Sequence, residues 1–232
     1  MKIVLLDALT FGDTDLSGFE ELGEVSVYQT TSASEVQTRI TNCEVVVTNK
    51  VVITKEHMLN SPALKLICVA ATGTNNVDLS AAKELGVQVK NVAGYSTDSV
   101  IQHTFSMLFY LIGYSRYYDE TVKNATYSKG EIFTDVSRPF FEVKGKKWGI
   151  IGLGAIGRGV ASVASAFGAE VIYYSTSGVN RSSDYQRTTL EEMLKSCDIV
   201  SIHAPLNEKT NNLLDYERLL TCKEGAVVLN LG

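Results

Sequence analysis

The sequence predicts an α/β protein built from two doubly wound parallel sheets. Short apolar runs alternate with helix-like segments along nearly all of the 232 residues, and this alternation is typical of parallel sheets with helices on both faces. Nine apolar runs are present, which is many for one such sheet and natural for two. Hydrophobic residues make up 45% and charged residues 20%, as in folded globular proteins.

The predicted strands fall into two groups along the chain. The first group is KIVLLDA, EVSVYQ, CEVVVTN, LKLICVAAT and VQVKNVA, and the second is KKWGIIGLG, EVIYYS, DIVSIHA and GAVVLNLG. The predicted helices between them include SASEVQTRITN, DLSAAKELG, AIGRGVASVASAFG and TTLEEMLKSC. Several helical segments close on Gly, the residue preferred just after a helix end.

A helical pattern far longer than the others separates the two groups. It covers residues 99–125, SVIQHTFSMLFYLIGYSRYYDETVKNA, and we interpret it as a long helix or a broken pair of helices. The polar stretch YSKGEIFTDVSRPFFEVKG then leads into the second sheet. We therefore expect a first domain over residues 1–99 and a second domain over residues 100–232.

Charge and cysteine content argue against several classes of protein. A net charge of −5 and a pI near 5.3 disfavour nucleic acid or an anionic membrane as the main partner. The cysteines lie far apart, whereas zinc and redox motifs need close pairs, so we expect no metal site. We expect reduced thiols and a cytoplasmic location. Neither a signal peptide nor a bilayer-spanning segment is visible.

The motif GIIGLGAIGRGV carries the clearest functional signal. Gly152, Gly154 and Gly157 fit G-x-G-x-x-G, with a predicted strand at 148–153 and a predicted helix at 156–167. In dinucleotide-binding proteins the first glycine permits a tight turn, the second lets backbone approach a pyrophosphate, and the third lets helix and strand pack closely. The helix N-terminus then favours phosphate. The alternative is a turn that binds nothing, and the strand–helix context favours binding.

The end of the next strand bears on the choice between NAD and NADP. NAD-binding proteins usually place Asp or Glu there to hold the ribose 2′-OH, but the chain reads AEVIYYSTSGVNR, with Ser175 at that position. A carboxylate would repel a 2′-phosphate, so its absence favours NADP, with hydroxyls offered by Ser175, Thr176 and Ser177 and with Arg181 as the candidate cation. An incidental Arg in a polar loop is the alternative, and both cofactors stay open.

A second cluster lies in the first half of the chain, where a strand runs into a Thr72-Gly73 turn whose N–H groups can face a small anion. With the glycine motif, it resembles the D-isomer-specific 2-hydroxyacid dehydrogenases, whose pattern is close to G-x-G-x-D-N-I-D, N-x-x-G and an E-H-T helix. The chain has ATGTNNVD, NVAG and QHT, then IGLGAIG, AFGAEVIYYS, CDIVSIHAPL and VVLNLG. The resemblance covers essentially the whole chain. TNKVVI is similar to the glycerate, hydroxypyruvate and glyoxylate reductase branch.

The resemblance implies two Rossmann-like domains, a flavodoxin-like substrate domain and an NAD(P)-binding domain, with the active site in the cleft between them. It implies hydride transfer between nicotinamide and a small 2-keto or 2-hydroxy acid such as glyoxylate or hydroxypyruvate. It also implies a homodimer joined through the helix that begins near Val100. The implied substrate contacts are Thr48, Lys50, Thr72 and Gly73. The implied cofactor contacts are Thr72, Gly152, Gly154, Ala155, Ile156, Gly157, Ser175, Arg181, His203, Ala204, Pro205, Leu231 and Gly232.

Some positions depart from the family pattern. Gln102 replaces the acid of the E-H-T motif, and Asn75 replaces the acid of the first element. We interpret His103 as a structural helix residue rather than a proton donor, since a buried, hydrogen-bonded histidine is the commoner case. His57 lies on a polar stretch, and we expect it at the surface.

The catalytic groups are expected after this sequence. Reduction of a 2-keto acid needs a hydride donor, a cation and a proton donor. In the family the last two are an Arg directly after the N-x-G strand end and a later His oriented by a Glu. The VVLNLG match places that Arg after Gly232, so we expect a chain cut before its chemistry. The alternatives are a non-catalytic dinucleotide-sensing protein of the same fold, similar to corepressors, and an inactive fragment.

Overall fold

The structure, a computed structural model, describes residues 1–130, 132–179 and 181–231. The chain divides into two compact units, Met1–Tyr95 and Ser96–Gly232. This division lies a few residues before the boundary expected between residues 99 and 100. Among the described residues, no helix has the length and apolar character needed to cross a membrane.

The first unit contains a parallel sheet flanked by short helices. Its strands are β1 Lys2–Leu5, β2 Glu24–Val27, β3 Val45–Thr48, β4 Leu66–Val69 and β5 Gln88–Asn91. Its α-helices are α1 Val36–Ile40, α2 Lys55–Leu59 and α3 Leu79–Leu85. The strand order is β2-β1-β3-β4-β5, which is the flavodoxin-like order. Every residue of β3 is buried, as expected for a central strand covered on both faces.

The second unit contains a second parallel sheet. Its strands are β6 Lys147–Ile151, β7 Glu170–Tyr174, β8 Gln186–Arg187, β9 Ile199–Ile202 and β10 Val227–Asn230. Its α-helices are α4 Thr97–Ile112, α5 Ser115–Lys123, α6 Ala155–Ala166, α7 Leu190–Ser196 and α8 Tyr216–Leu220. The order β10-β9-β6-β7-β8 is that of the first five strands of a Rossmann sheet. The predicted fold class is therefore confirmed for both units.

The predicted strands are present, one short strand is added, and the long helical pattern is resolved into two helices. All nine predicted strands form, and the two-residue strand β8 adds an edge that is too short for a sequence pattern to predict. The long helical pattern is a broken pair, because α4 ends before Gly113 and α5 begins after Tyr114, whose φ is +49°. A Cβ on Gly113 would lie 2.7 Å from the carbonyl oxygen of Phe109, so a larger residue would not fit this break.

The strand order locates a switch point in each sheet. In the first unit, β2 lies on one side of β1 and β3 lies on the other, so the strand order reverses between β1 and β3. In the second unit, β7 and β9 lie on opposite sides of β6, so the order reverses between β6 and β9. Ligands of open α/β sheets bind outside the carboxyl ends of the strands at such a point. In the second unit the two switch-point strands are tied together by Trp148, which is fully buried and donates its indole N–H to Ser201 Oγ at 2.9 Å.

Candidate functional site

The turn between β6 and α6 is shaped by very close backbone contacts. Gly152 has a φ of +93°, and a Cβ there would lie 2.9 Å from the carbonyl oxygen of His203. A Cβ on Gly157 would lie 2.1 Å from the carbonyl oxygen of Gly152. Gly152 therefore lets the chain turn sharply beside the end of β9, and Gly157 lets α6 pack directly against that turn.

Gly154 has the opposite surroundings. It is the N-cap residue of α6, and no side chain caps the helix. A Cβ on Gly154 would have no atom within 4 Å, so internal packing does not require a glycine here. The first N–H groups of a helix have no intrahelical acceptor, and those of Ala155 and Ile156 are left for an external one. An anion is the natural partner because the helix dipole adds to these donors.

A cavity of about 560 Å³ lies at this switch point, within the range of small-molecule sites. Three loops form it, following β6, β7 and β9, whose carboxyl ends lie at one edge of the sheet. The residues that line it are Gly152, Gly154, Thr176, Ser177, His203, Pro205, Asn207, Glu208 and Lys209. Predicted and unpredicted residues therefore share one site in the second unit.

The loop after β9 is fixed by side chains within it. The Thr210 hydroxyl donates to the Pro205 carbonyl and accepts from the Asn207 N–H at 2.8 Å. Asn207 Oδ1 accepts from the Lys209 N–H at 2.9 Å. These bonds hold the backbone that carries Glu208 and Lys209. Sequence reasoning missed this part of the site, although the polar run NEKT a few residues after a strand end was a usable signal.

His203 has an incomplete hydrogen-bonding environment. Both ring nitrogens are buried, and neither has a partner among the described residues. Burial lowers the pKa of His203 to about 4, so the imidazole is neutral near pH 7 and offers one donor and one acceptor. Ser175 Oγ is likewise buried without a described partner. Unpaired buried polar groups each cost about 1–3 kcal/mol, and a polar ligand in the cavity would supply a partner for His203, which lines it.

Two of the three hydroxyl residues predicted after β7 line the cavity. Ser175 is only 4% exposed and does not line the cavity, whereas Thr176 and Ser177 do. Arg181 is exposed and does not line the cavity, and its carbonyl oxygen accepts from Arg158 Nη2 at 2.9 Å. Hydroxyl groups, rather than Arg181, are therefore the polar groups of this wall.

The remaining predicted cofactor contacts of the second unit have distinct positions. Ala204 is buried directly after His203 at the end of β9. The Leu231 N–H donates to the Ile202 carbonyl at 3.3 Å, which extends the pairing of β10 with β9. Gly232 lies outside the described residues. The described lining of the cavity therefore comes from the loops after β6, β7 and β9.

In the first unit, Asp7 occupies the switch point between β1 and β3. Its buried carboxylate accepts the N–H groups of Asn49 at 2.9 Å and Lys50 at 2.6 Å, and the Thr48 hydroxyl at 3.3 Å. Thr48 is fully buried, so its side chain supports this loop and is not exposed to a substrate, contrary to expectation. Lys50 is exposed on the same loop. Sequence reasoning missed Asp7, although an acid directly after a buried strand was visible.

Thr72 and Gly73 lie in the loop after β4, next to the loop that carries Lys50. Both residues are exposed. The Thr72 hydroxyl donates to the Val92 carbonyl at 3.2 Å, and the Thr72 carbonyl accepts from Asn91 Nδ2 at 2.7 Å. Because β3 and β4 are adjacent parallel strands, these loops meet at one edge of the first sheet.

The other two histidines lie outside the cavity of the second unit. His103 is exposed on α4, so its expected burial is wrong. His57 is half-buried, and its Nδ1 accepts from the Thr54 N–H at 3.2 Å, which completes a capping box at the start of α2. Its role is therefore structural.

Two glycine substitutions separate folding from ligand binding. Gly157→Ala should lower the free energy of unfolding by about 3 kcal/mol or more, because its Cβ meets backbone that cannot move aside. Gly154→Ala should cost less than about 1 kcal/mol, yet weaken dinucleotide binding, because the methyl group enters the open space beside the helix N-terminus. Urea unfolding and a binding titration measure both quantities. Equal destabilisation by the two substitutions would contradict this assignment.

His203 should make stability depend on pH. Its pKa of about 4 in the folded chain lies below the ordinary 6.5, so the unfolded chain binds more protons between these values. The free energy of unfolding should therefore fall as pH drops from 6.5 towards 4, by up to about 3 kcal/mol. His203→Gln should flatten this dependence in urea unfolding curves, whereas the exposed control His103→Gln should not. If the free energy of unfolding of His203→Gln depended on pH as steeply as that of the wild-type chain, His203 would be excluded as the cause.

The amino-acid sequence of this chain is similar to those of known proteins. Residues 105–232 match the family model for the D-isomer specific 2-hydroxyacid dehydrogenase, NAD binding domain. A putative 2-hydroxyacid dehydrogenase from Haemophilus influenzae is 36% identical over 241 residues, covering 100% of this chain and 74% of that protein. A hydroxypyruvate reductase from Blautia hydrogenotrophica is 33% identical over 237 residues, covering 99% of this chain and 74% of that protein.

Solved structures share the fold. An acyclic imino acid reductase in complex with NADPH and D-Arg has a TM-score of 0.87 at 28% identity, covering 99% of this chain and 74% of that one. The D-lactate dehydrogenase from Aquifex aeolicus complexed with NAD and lactic acid has a TM-score of 0.85 at 27% identity, covering 99% and 68%. The chain thus belongs to the D-isomer specific 2-hydroxyacid dehydrogenase family, and its second unit contains the NAD-binding domain of that family.

Proposed function

We propose that the protein is an NAD(P)-dependent D-2-hydroxyacid dehydrogenase. It transfers hydride between a nicotinamide and the 2-carbon of a small 2-keto or 2-hydroxy acid, such as glyoxylate or hydroxypyruvate. The observation that carries the proposal is the cavity at the β6–β9 switch point, where the uncapped N-terminus of α6 meets open space at Gly154. The similarity to a hydroxypyruvate reductase supports the substrate class.

The second unit binds the dinucleotide through backbone and small polar groups. The N–H groups of Ala155 and Ile156 donate to the pyrophosphate, and Gly154 leaves room for it. Thr176 and Ser177 offer hydroxyls to the adenosine ribose. The neutral imidazole of His203 gains a hydrogen-bond partner from the ligand. When bound, the nicotinamide supplies or accepts the hydride.

The first unit contributes to substrate binding. Asp7 fixes the loop that carries Lys50 by accepting its N–H groups, and the exposed Lys50 ammonium suits the carboxylate of a 2-keto acid. The exposed Thr72–Gly73 turn on the neighbouring loop supplies further donors. Carbonyl polarisation and proton transfer are assigned to the Arg, Glu and His that the family pattern places after Gly232.

The proposal includes a homodimer in the cytoplasm. Helix α4 is apolar on more than one side: Leu108 packs in the core, while Phe109, Tyr110 and Leu111 are 37%, 50% and 49% exposed. Helices of this kind are usually buried on both sides, and a second copy would cover the exposed residues. All four cysteines are free thiols, which supports a reducing compartment.

The buried Trp148 allows a direct test of dinucleotide binding. It is the single tryptophan and lies on β6, which leads into the glycine turn, so a bound reduced nicotinamide cofactor should quench its emission by energy transfer. We expect saturable quenching by NADPH or NADH that ADP-ribose reverses by competition. No quenching and no competition would contradict the proposal. Bound cofactor without turnover of glyoxylate or hydroxypyruvate, in a protein that carries the expected Arg, Glu and His, would favour the dinucleotide-sensing alternative.

Light scattering after size exclusion tests the dimer. We expect a mass about twice 25.3 kDa at micromolar concentrations. The double substitution Tyr110→Glu with Leu111→Glu should return the chain to the monomer mass, because it places charges on the exposed side of α4. Leu59→Glu is the matched control, since Leu59 is 55% exposed on α2 in the other unit. A monomeric wild-type chain, or a dimer that survives the double substitution, would contradict the assignment.

A further inference from the structure

We infer that Lys209 selects NADP by binding its 2′-phosphate from the loop after β9, where it lines the same cavity as the Thr176 and Ser177 hydroxyls. The inference rests on the proposed function, because it assigns one contact of the proposed cofactor. It replaces Arg181, which the sequence suggested for this role.

A 2′-phosphate needs donors and a cation, and the loop after β7 provides only the donors. Ser175 stands where NAD-binding proteins carry an acid, and the next two residues present hydroxyls to the cavity. The hydroxyls of Thr176 and Ser177 can donate to phosphate oxygens. They cannot balance the charge of the phosphate, so the cation has to come from another loop.

Lys209 is the cation that the cavity offers. Among the described residues that line the cavity, it alone is a Lys or Arg. No described carboxylate forms an ion pair with it, so its ammonium group is available to a ligand. Its backbone is held by Asn207 Oδ1, within the loop that Thr210 also fixes. Hydrogen bonds within the loop therefore fix the backbone of Lys209 beside the cavity.

Two neighbouring charges compete with this assignment. Arg181 is exposed and lies outside the cavity lining. Glu208 does line the cavity, and a carboxylate near the ribose would hold the 2′-OH of NAD and repel a phosphate. The hydroxyl-only end of β7 matches a site for phosphate, which favours Lys209 over Glu208 as the group that faces the ribose.

Dissociation constants for NADPH and NADH, measured by calorimetry on the chain and its variants, test the inference. Lys209→Gln should weaken NADPH binding about tenfold or more, the effect of losing a charge-assisted hydrogen bond, and change NADH binding by less than about twofold. Lys209→Arg should keep the preference for NADPH. Added salt should weaken NADPH binding to the wild-type chain more than to Lys209→Gln, since an ionic contact is screened.

The controls separate this inference from the proposed function. Lys195→Gln removes an exposed lysine on α7, outside the cavity lining, and should leave both constants unchanged. Loss of the NADPH preference in Arg181→Gln but not in Lys209→Gln would overturn the assignment, as would equal loss of NADH and NADPH binding in Lys209→Gln. If the wild-type chain binds NADH more tightly than NADPH and Glu208→Gln reverses this preference, Glu208 and not Lys209 is the residue that contacts the ribose. A wild-type chain that binds neither dinucleotide would overturn the proposed function as well.

Discussion

Backbone N–H groups at the carboxyl edge of a parallel sheet need acceptors, and the two units of this protein satisfy that need in opposite ways. In the first unit, the Asp7 carboxylate takes the N–H groups of Asn49 and Lys50, so the chain itself supplies an anion at the switch point. In the second unit, the corresponding place is a glycine turn with an uncapped helix. Among the described residues of these two switch points, the backbone donors left for a ligand anion are therefore those of the second.

The open switch point also explains why polar groups around it lack partners. Close packing at Gly152 and Gly157 brings α6, β6 and β9 together, and the ring nitrogens of His203, which lines the cavity beside this turn, are buried without described partners. A folded chain gains nothing from buried polar atoms without partners. Such groups are common where a ligand completes the structure, and the cost in stability is then recovered on binding.

Much of this could be predicted from the sequence, because strand and helix patterns are local. The apolar runs gave nine strands, and the motif at Gly152, Gly154 and Gly157 located the turn. Strand β8 was missed because two residues carry no periodicity. The hydrogen bond from Thr48 to Asp7 could not be foreseen, because Asp7 is distant in sequence and adjacent only through the pairing of β1 with β3.

The same limit applies to the site. Ser175 was placed correctly at the end of β7, but whether its side chain or that of Thr176 faces the cavity depends on how the chain turns after the strand. Lys209 belongs to a loop far along the chain, and only the parallel pairing of β6 with β9 brings that loop to the glycine turn. From the sequence alone, the candidate cation is the one close to Ser175 along the chain, and this favoured Arg181.

The central claim is that the open N-terminus of α6 binds the phosphates of a dinucleotide. Amide chemical shifts of the ¹⁵N-labelled chain, followed while NADPH is added, test it most directly. The largest changes should occur at Gly154, Ala155 and Ile156, with further changes at Thr176 and His203, and the Asn49 and Lys50 amides held by Asp7 should change little. Shifts concentrated at Asn49 and Lys50, or saturation without any change at the start of α6, would contradict the claim.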